Sequence, residues 1–323
     1  MTYTFYDFAY EVLKQATIPL TYQDIWKMGL EKGLDKKLRK IGKTPWMSVG
    51  AQLYVDVRDN EKSRFIKVGL RPTRFFLKER EQELKQGKME TVEKTETKKV
   101  ETQSSFKEKD LHPVLTYYTS ASPLFNRGKS IYTKTIAHEK SLKPGYNQWV
   151  YPDMVGFYLP IDDWSSDVIE LNRISDNNAL HLYSFEIKKV LNKSNYRESF
   201  FQAVSNSSWA HEGYLVTTEI NEDDELQAEL KRLASSFGIG IIKLDLSDID
   251  SSDVLYPAKL RDSLDWETIN KLCEQNPEFE KFLQDVKIDF EGKRIHPSEY
   301  NAVEKDIYAY IEDVLKIKQV EED

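Results

Sequence analysis

Asp153, Glu186 and Lys188 are the residues of this 323-residue chain best suited by type and spacing to do chemistry. Asp153 stands in Tyr151-Pro152-Asp153-Met154-Val155-Gly156, and the other two in Ser184-Phe185-Glu186-Ile187-Lys188. In an extended strand residues two apart share a face, so Glu186 and Lys188 project together while Phe185 and Ile187 point the other way. With Asp153 on a neighbouring strand, that face offers two carboxylates beside an ammonium. Mg2+ takes one or two carboxylates, several waters and phosphate oxygens, so the trio suits a hard cation acting on a phosphodiester; Mn2+ accepts the same ligands. Lys188 would orient or help deprotonate an attacking water and offset charge growing at phosphorus. The competing reading is a surface ion pair across two strands. The apolar neighbours Val155, Phe157, Phe185, Ile187 and Val190 argue instead for a sheet interior, where ionisable groups are commonly functional.

Strand-like runs at 148–159, 180–191, 213–218 and 239–246 must carry this face, with helical patterns at 196–211 and 223–237 between the last three. Such a succession predicts an α/β fold, a mixed sheet covered by helices. The 33 residues between Asp153 and Glu186 are many for a hairpin, and the polar stretch 162–178 reads as an inserted loop. In the helix 196–211, Gln202, Asn206 and Trp209 fall on one side, and Ser205-Asn206-Ser207-Ser208 works against helix propensity. The chain from Trp266 onward reads as helical. Thr135 to Ser141 forms a polar cluster containing His138 and Glu139, whose plainest reading is a solvent-facing turn.

Hydrophobic residues make up 40% and charged residues 31%, a balance that excludes wholesale disorder and fibrous classes. The lone Cys273 excludes a disulfide framework and a cysteine zinc site. No apolar run approaches the roughly 18–20 residues of a membrane span, and the first residues lack the pattern of a signal peptide. No membrane partner and a cytoplasmic location are therefore expected. The net charge of −8 hides a split: residues 1–80 hold 16 Lys/Arg against 9 Asp/Glu, residues 81–110 are near neutral, and residues 111–323 carry the acidic excess. A basic portion joined to an acidic one points to nucleic acid. Three units are expected: a DNA-binding domain at 1–80, a charged linker at 81–110 too poor in apolar residues to order itself, and a catalytic domain at 111–323 with a helical tail.

Within 1–80, Phe5, Phe8, Ala9, Val12 and Leu13 fall at helical spacing, Thr21 to Asp24 reads as a capped helix start, and Pro45 opens a third helix. Two short strands follow around Phe65 and Phe75. Three helices and a β-wing make a winged helix-turn-helix. Its cations divide into Lys36, Lys37, Arg39, Lys40 and Lys43 before the third helix, and Arg58, Arg64, Arg71 and Arg74 on that helix and the wing. All are candidate contacts to double-stranded DNA.

The runs Gly42-Lys43-Thr44-Pro45, Ala51-Gln52-Leu53, Ser63 to Gly69 and Phe75-Phe76-Leu77 resemble the HARE-type winged-helix family. That family occurs beside restriction-endonuclease domains, in chromatin proteins and in the delta subunit of bacterial RNA polymerase. Pro152-Asp153 with Glu186-Ile187-Lys188 resembles the motif of the PD-(D/E)XK nucleases. The resemblance implies Asp153 and Glu186 as metal ligands, the Ile187 carbonyl as a third, and Lys188 as the catalytic lysine. It also implies roles for Gln202, which matches a glutamine common on the following helix, and for Glu139 as an upstream acid. Asn206 stands where these nucleases often carry tyrosine, a departure from the pattern. Together these readings lead to a Mg2+-dependent DNA endonuclease of restriction or phage-defence type, acting as a homodimer at least transiently to cut both strands. The alternative is a DNA-binding regulatory protein whose nuclease-like domain is inactive.

Overall fold

The computed structural model describes residues 3–39, 45–69, 73–85, 106–122, 125, 129–137, 151–161, 164–174 and 180–317. The first helix, α1 (Phe5–Gln15), begins where Thr4 and Asp7 exchange hydrogen bonds in a capping box. Thr21 caps α2 (Tyr22–Glu31), and Pro45 opens α3 (Pro45–Asp59). The wing pairs β1 (Phe65–Val68) antiparallel with β2 (Arg74–Leu77), and Leu20 adds a bridge to Phe75. Phe8, Val12, Ile25, Val49, Leu53 and Phe75 close this core. Gly29 lets α1 and α2 approach, because a Cβ there would lie 1.9 Å from the Phe8 ring.

The short α4 (Glu81–Lys85) continues from the wing, and residues 86–105 lie outside the described residues. The far end of the expected linker is packed: Phe106 is buried, its carbonyl accepting from Lys189 at 2.7 Å and its ring covered by the same ammonium. Next come α5 (His112–Ala121), β3 (Tyr132–Thr135), β4 (Met154–Tyr158), α6 (Ser166–Ile174), β5 (His181–Leu191), α7 (Tyr196–Asn206) and β6 (Glu212–Ile220). The chain then runs through α8 (Asp224–Phe237), β7 (Gly240–Lys243), β8 (Asp253–Tyr256), α9 (Trp266–Gln275), α10 (Pro277–Gly292) and α11 (Ile307–Asp313).

The six strands lie in chain order, β3-β4-β5-β6-β7-β8. β5, β6 and β7 run parallel through the crossovers α7 and α8, and the flanking pairs are antiparallel. The fold is mixed α/β, with a winged helix ahead of a sheet covered on both faces. One face, with Met154, Phe185, Ile187 and Val216, packs on α5 and α11. The other splits into two apolar clusters: Val155 and Phe157 meet α9 and α10, while Leu215 and Ile241 meet α7 and α8. Between these clusters β5 presents Ser184, Glu186 and Lys188.

Three local expectations change. Thr135 ends strand β3 rather than standing in a turn, and the stretch read as an inserted loop contains α6. The helix expected over 196–211 stops at Asn206. There the Ser184 hydroxyl and the Trp209 indole N–H donate to the Asn206 carbonyl at 3.1 and 2.8 Å, replacing the bond that a further turn would supply.

Candidate active site

The antiparallel register of β4 and β5 pairs Met154 with Phe185, and one step further it sets Asp153 opposite Glu186. Opposed residues share a face, so both carboxylates sit on the same side of the sheet. Asp153 also closes the strand end: its Oδ2 accepts from the Ile187 N–H at 2.8 Å. In a strand the N–H and C=O of one residue point to the same edge, so the Ile187 carbonyl faces the end of β4 where Asp153 stands.

Glu186 is the centre of the cluster and only 1% exposed. Lys188 Nζ lies 2.6 Å from its Oε1, and Asn206 Nδ2 donates to its Oε2 at 2.6 Å. Burial, then the Asp153 charge, pushes the Glu186 carboxyl up to about 7 against the pull of Lys188 and Asn206. Burial opposes the Lys188 charge, yet Glu186 outweighs it and holds the ammonium above its ordinary value. Glu108, from the segment before α5, reaches within 3.9 Å of the same ammonium.

Two of these groups escape the sequence reading. Asn206 departs from the motif there, although its place among serines in an otherwise apolar helix is the signal. Glu108 lies in a stretch that reads as linker and carries no signal. Gln202 sits half-buried on α7 one turn before Asn206. Glu139 and His138 lie outside the described residues. Among the described residues no three of His, Cys, Asp and Glu gather as a metal-holding group. The donors that do gather, two carboxylates and a strand-end carbonyl, are the hard oxygen set that Mg2+ uses. The buried Oδ1 of Asn206 has no hydrogen-bond partner among the described residues, leaving an acceptor beside Glu186 for a water.

The candidate DNA contacts fall into separate groups. Lys36 and Lys37 lie in a 3-10 turn (Leu34–Lys37) between α2 and α3, with Arg39 just after it, and all three are exposed. Lys37 is paired with Glu11 at 2.7 Å. Arg64 is exposed over the Tyr10 ring, and Arg74 is half-buried at the start of β2. Arg58 is held by Asp59 and, from the C-terminal part, by Asp253 at 3.0 Å. Lys40, Lys43 and Arg71 lie outside the described residues. No helix among the described residues is long and apolar enough to cross a membrane.

No curated protein and no solved structure matches the chain. One family does match over residues 3–77, described as the HARE-HTH, the HTH domain of ASXL and restriction endonuclease proteins, and its character suggests DNA binding. Those residues contain α1, α2, α3 and the β1–β2 wing, and the N-terminal winged helix of this chain is a HARE-HTH domain.

Proposed function

We propose that this chain is a Mg2+-dependent DNA endonuclease of restriction or phage-defence type, brought to duplex DNA by its winged helix. The observation that carries the reading is the buried Glu186 carboxylate, set beside Asp153 on one sheet face and bonded to Lys188 and Asn206. An ion pair on a protein surface has no need of burial, and a buried carboxylate needs every partner it has.

Asp153, Glu186 and the Ile187 carbonyl would hold the cation. When bound, it would supply positive charge at the scissile phosphate and acidify a coordinated water. Lys188 would point its ammonium at the oxygens where negative charge grows. Asn206 fixes one Glu186 oxygen and offers its free Oδ1 to a water. The acidic balance of 111–323 is offset at the site by Lys188 and the cation, and along the duplex by the winged-helix cations. A duplex break by this single-site chain needs two copies, hence a homodimer during cleavage.

The regulatory alternative, a nuclease-like domain without activity, draws on one observation: among the described residues only two carboxylates meet at the site. Nicking of supercoiled plasmid separates the two readings. Cleavage should require Mg2+ or Mn2+ and vanish in Asp153→Ala and Glu186→Ala. Lys188→Ala should keep metal binding and lose most of the rate, since its charge acts chiefly in the transition state. Absence of metal-dependent nicking by the wild-type chain, or wild-type rates in either carboxylate variant, would overturn the assignment.

A further inference from the structure

The segment between β7 and β8 carries Asp245, Asp248, Asp250 and Asp253 with no Lys or Arg among residues 245–253, and it is seated on the winged helix. Arg58 of α3 pairs with Asp253 at 3.0 Å. Lys67 of β1 crosses the Tyr54 ring and donates to Ser251 Oγ at 2.7 Å. Thr73, beside β2, donates its hydroxyl to the Asp248 carboxylate, which also accepts from Ser251. Asp248 and Asp250 are buried by this contact region, at 1% and 4% exposed. The winged helix thus spends cations of its third helix and wing on carboxylates of its own chain.

The outward side of α3 is enclosed as well. Met47, Ser48, Gln52 and Val55 open onto a cavity of about 930 Å3 whose opposite wall includes Tyr183 and Glu212. A helix reading a major groove, about 12 Å wide and 8.5 Å deep, must have duplex backbone on both sides of it. This cavity gives no such room. Tyr183 and Glu186 are three residues apart on one strand, so they point to opposite faces of the sheet. The space before α3 and the candidate active site therefore open on different sides of the sheet.

We infer that the acidic β7–β8 segment occupies the α3 and wing surface in place of DNA phosphates, so that duplex DNA must displace it to bind. The inference rests on the DNA-reading role of the winged helix, not on cleavage. Closure lowers the apparent affinity by the fraction of molecules in the open state, and a duplex of any sequence competes through its phosphates.

The test uses the full chain with EDTA present and a fluorescein-labelled mixed-sequence duplex, read by anisotropy at low salt. Asp253→Asn removes the exposed carboxylate from Arg58 and should tighten binding about three- to tenfold. In the wild-type chain, adding the duplex should speed amide hydrogen exchange across residues 245–253. Equal affinity of the variant and wild type, or unchanged exchange in that segment, overturns the proposal while leaving DNA reading intact. Binding by neither chain overturns both this proposal and the DNA-reading role, whereas metal-dependent nicking is scored separately.

Discussion

Asp250 lies beneath the docked winged helix, 4% exposed, with its Oδ1 lacking a hydrogen-bond partner among the described residues. Burial first, and then the Asp248 charge, pushes its carboxyl from 3.8 up to about 7, with Lys67 pulling the other way. A raised acid binds its proton more tightly in the folded state than in the unfolded chain. Stability is therefore highest while both states hold the proton. It falls as pH climbs from about 4 towards 7, and is level beyond. A shift of about three pKa units, at about 1.36 kcal/mol each, sets a ceiling of about 4 kcal/mol on the loss. A neutral amide at this position would mimic the protonated acid, so Asp250→Asn should match the wild type near pH 4.5. At pH 8 it should exceed it by about 2–4 kcal/mol, the lower figure allowing for water entering beside the wild-type carboxylate. Urea unfolding at pH 4.5, 6 and 8 measures the difference and cancels the titration of every other group. A stability difference that is the same at pH 4.5 and 8, or a variant weaker than wild type at pH 8, would refute the argument.

Asn206→Ala should remove the donor to Glu186 Oε2 and cost about 1.5–3 kcal/mol, the range for a hydrogen bond to a charged group; chemical denaturation reads the loss, and plasmid nicking should slow with it. Gly29→Ala places a Cβ 1.9 Å from the fully buried Phe8 ring, and overpacking of this kind costs about 1–3 kcal/mol. Its effect should be confined to hydrogen exchange in α1 and α2, with the six-stranded sheet unchanged. Duplex binding by the full chain should weaken linearly on a log–log plot against salt. Lys36→Ala with Arg39→Ala should flatten that slope by about 2 if both cations touch phosphate, and an unchanged slope would remove the pair from the interface.

Much of this protein is legible in one dimension. The helices of the winged helix announce themselves through apolar spacing, the Thr4 and Thr21 caps and Pro45, because capping and amphipathic period depend on residues within a turn or two of one another. The same locality makes Glu186 and Lys188 readable as a shared face, since strand parity needs no partner. Four-residue strands such as β3 and β8 have too few residues for alternation to register, and β8 begins on an acid.

What brings residues together across the chain comes only from tertiary structure. Glu186 meets Asn206 because the crossover after β5 lays the end of α7 over the sheet, where competing side chains halt the helix. Asp153 caps Ile187 because of the β4–β5 register, and register follows from packing on both faces rather than from either strand alone. The pairing of Arg58 with Asp253, 195 positions apart, is invisible to a reading that sees in Arg58 a cation free for DNA. Charge type and local period are written in the sequence, whereas which opposite charge a side chain meets is settled by how separate elements pack.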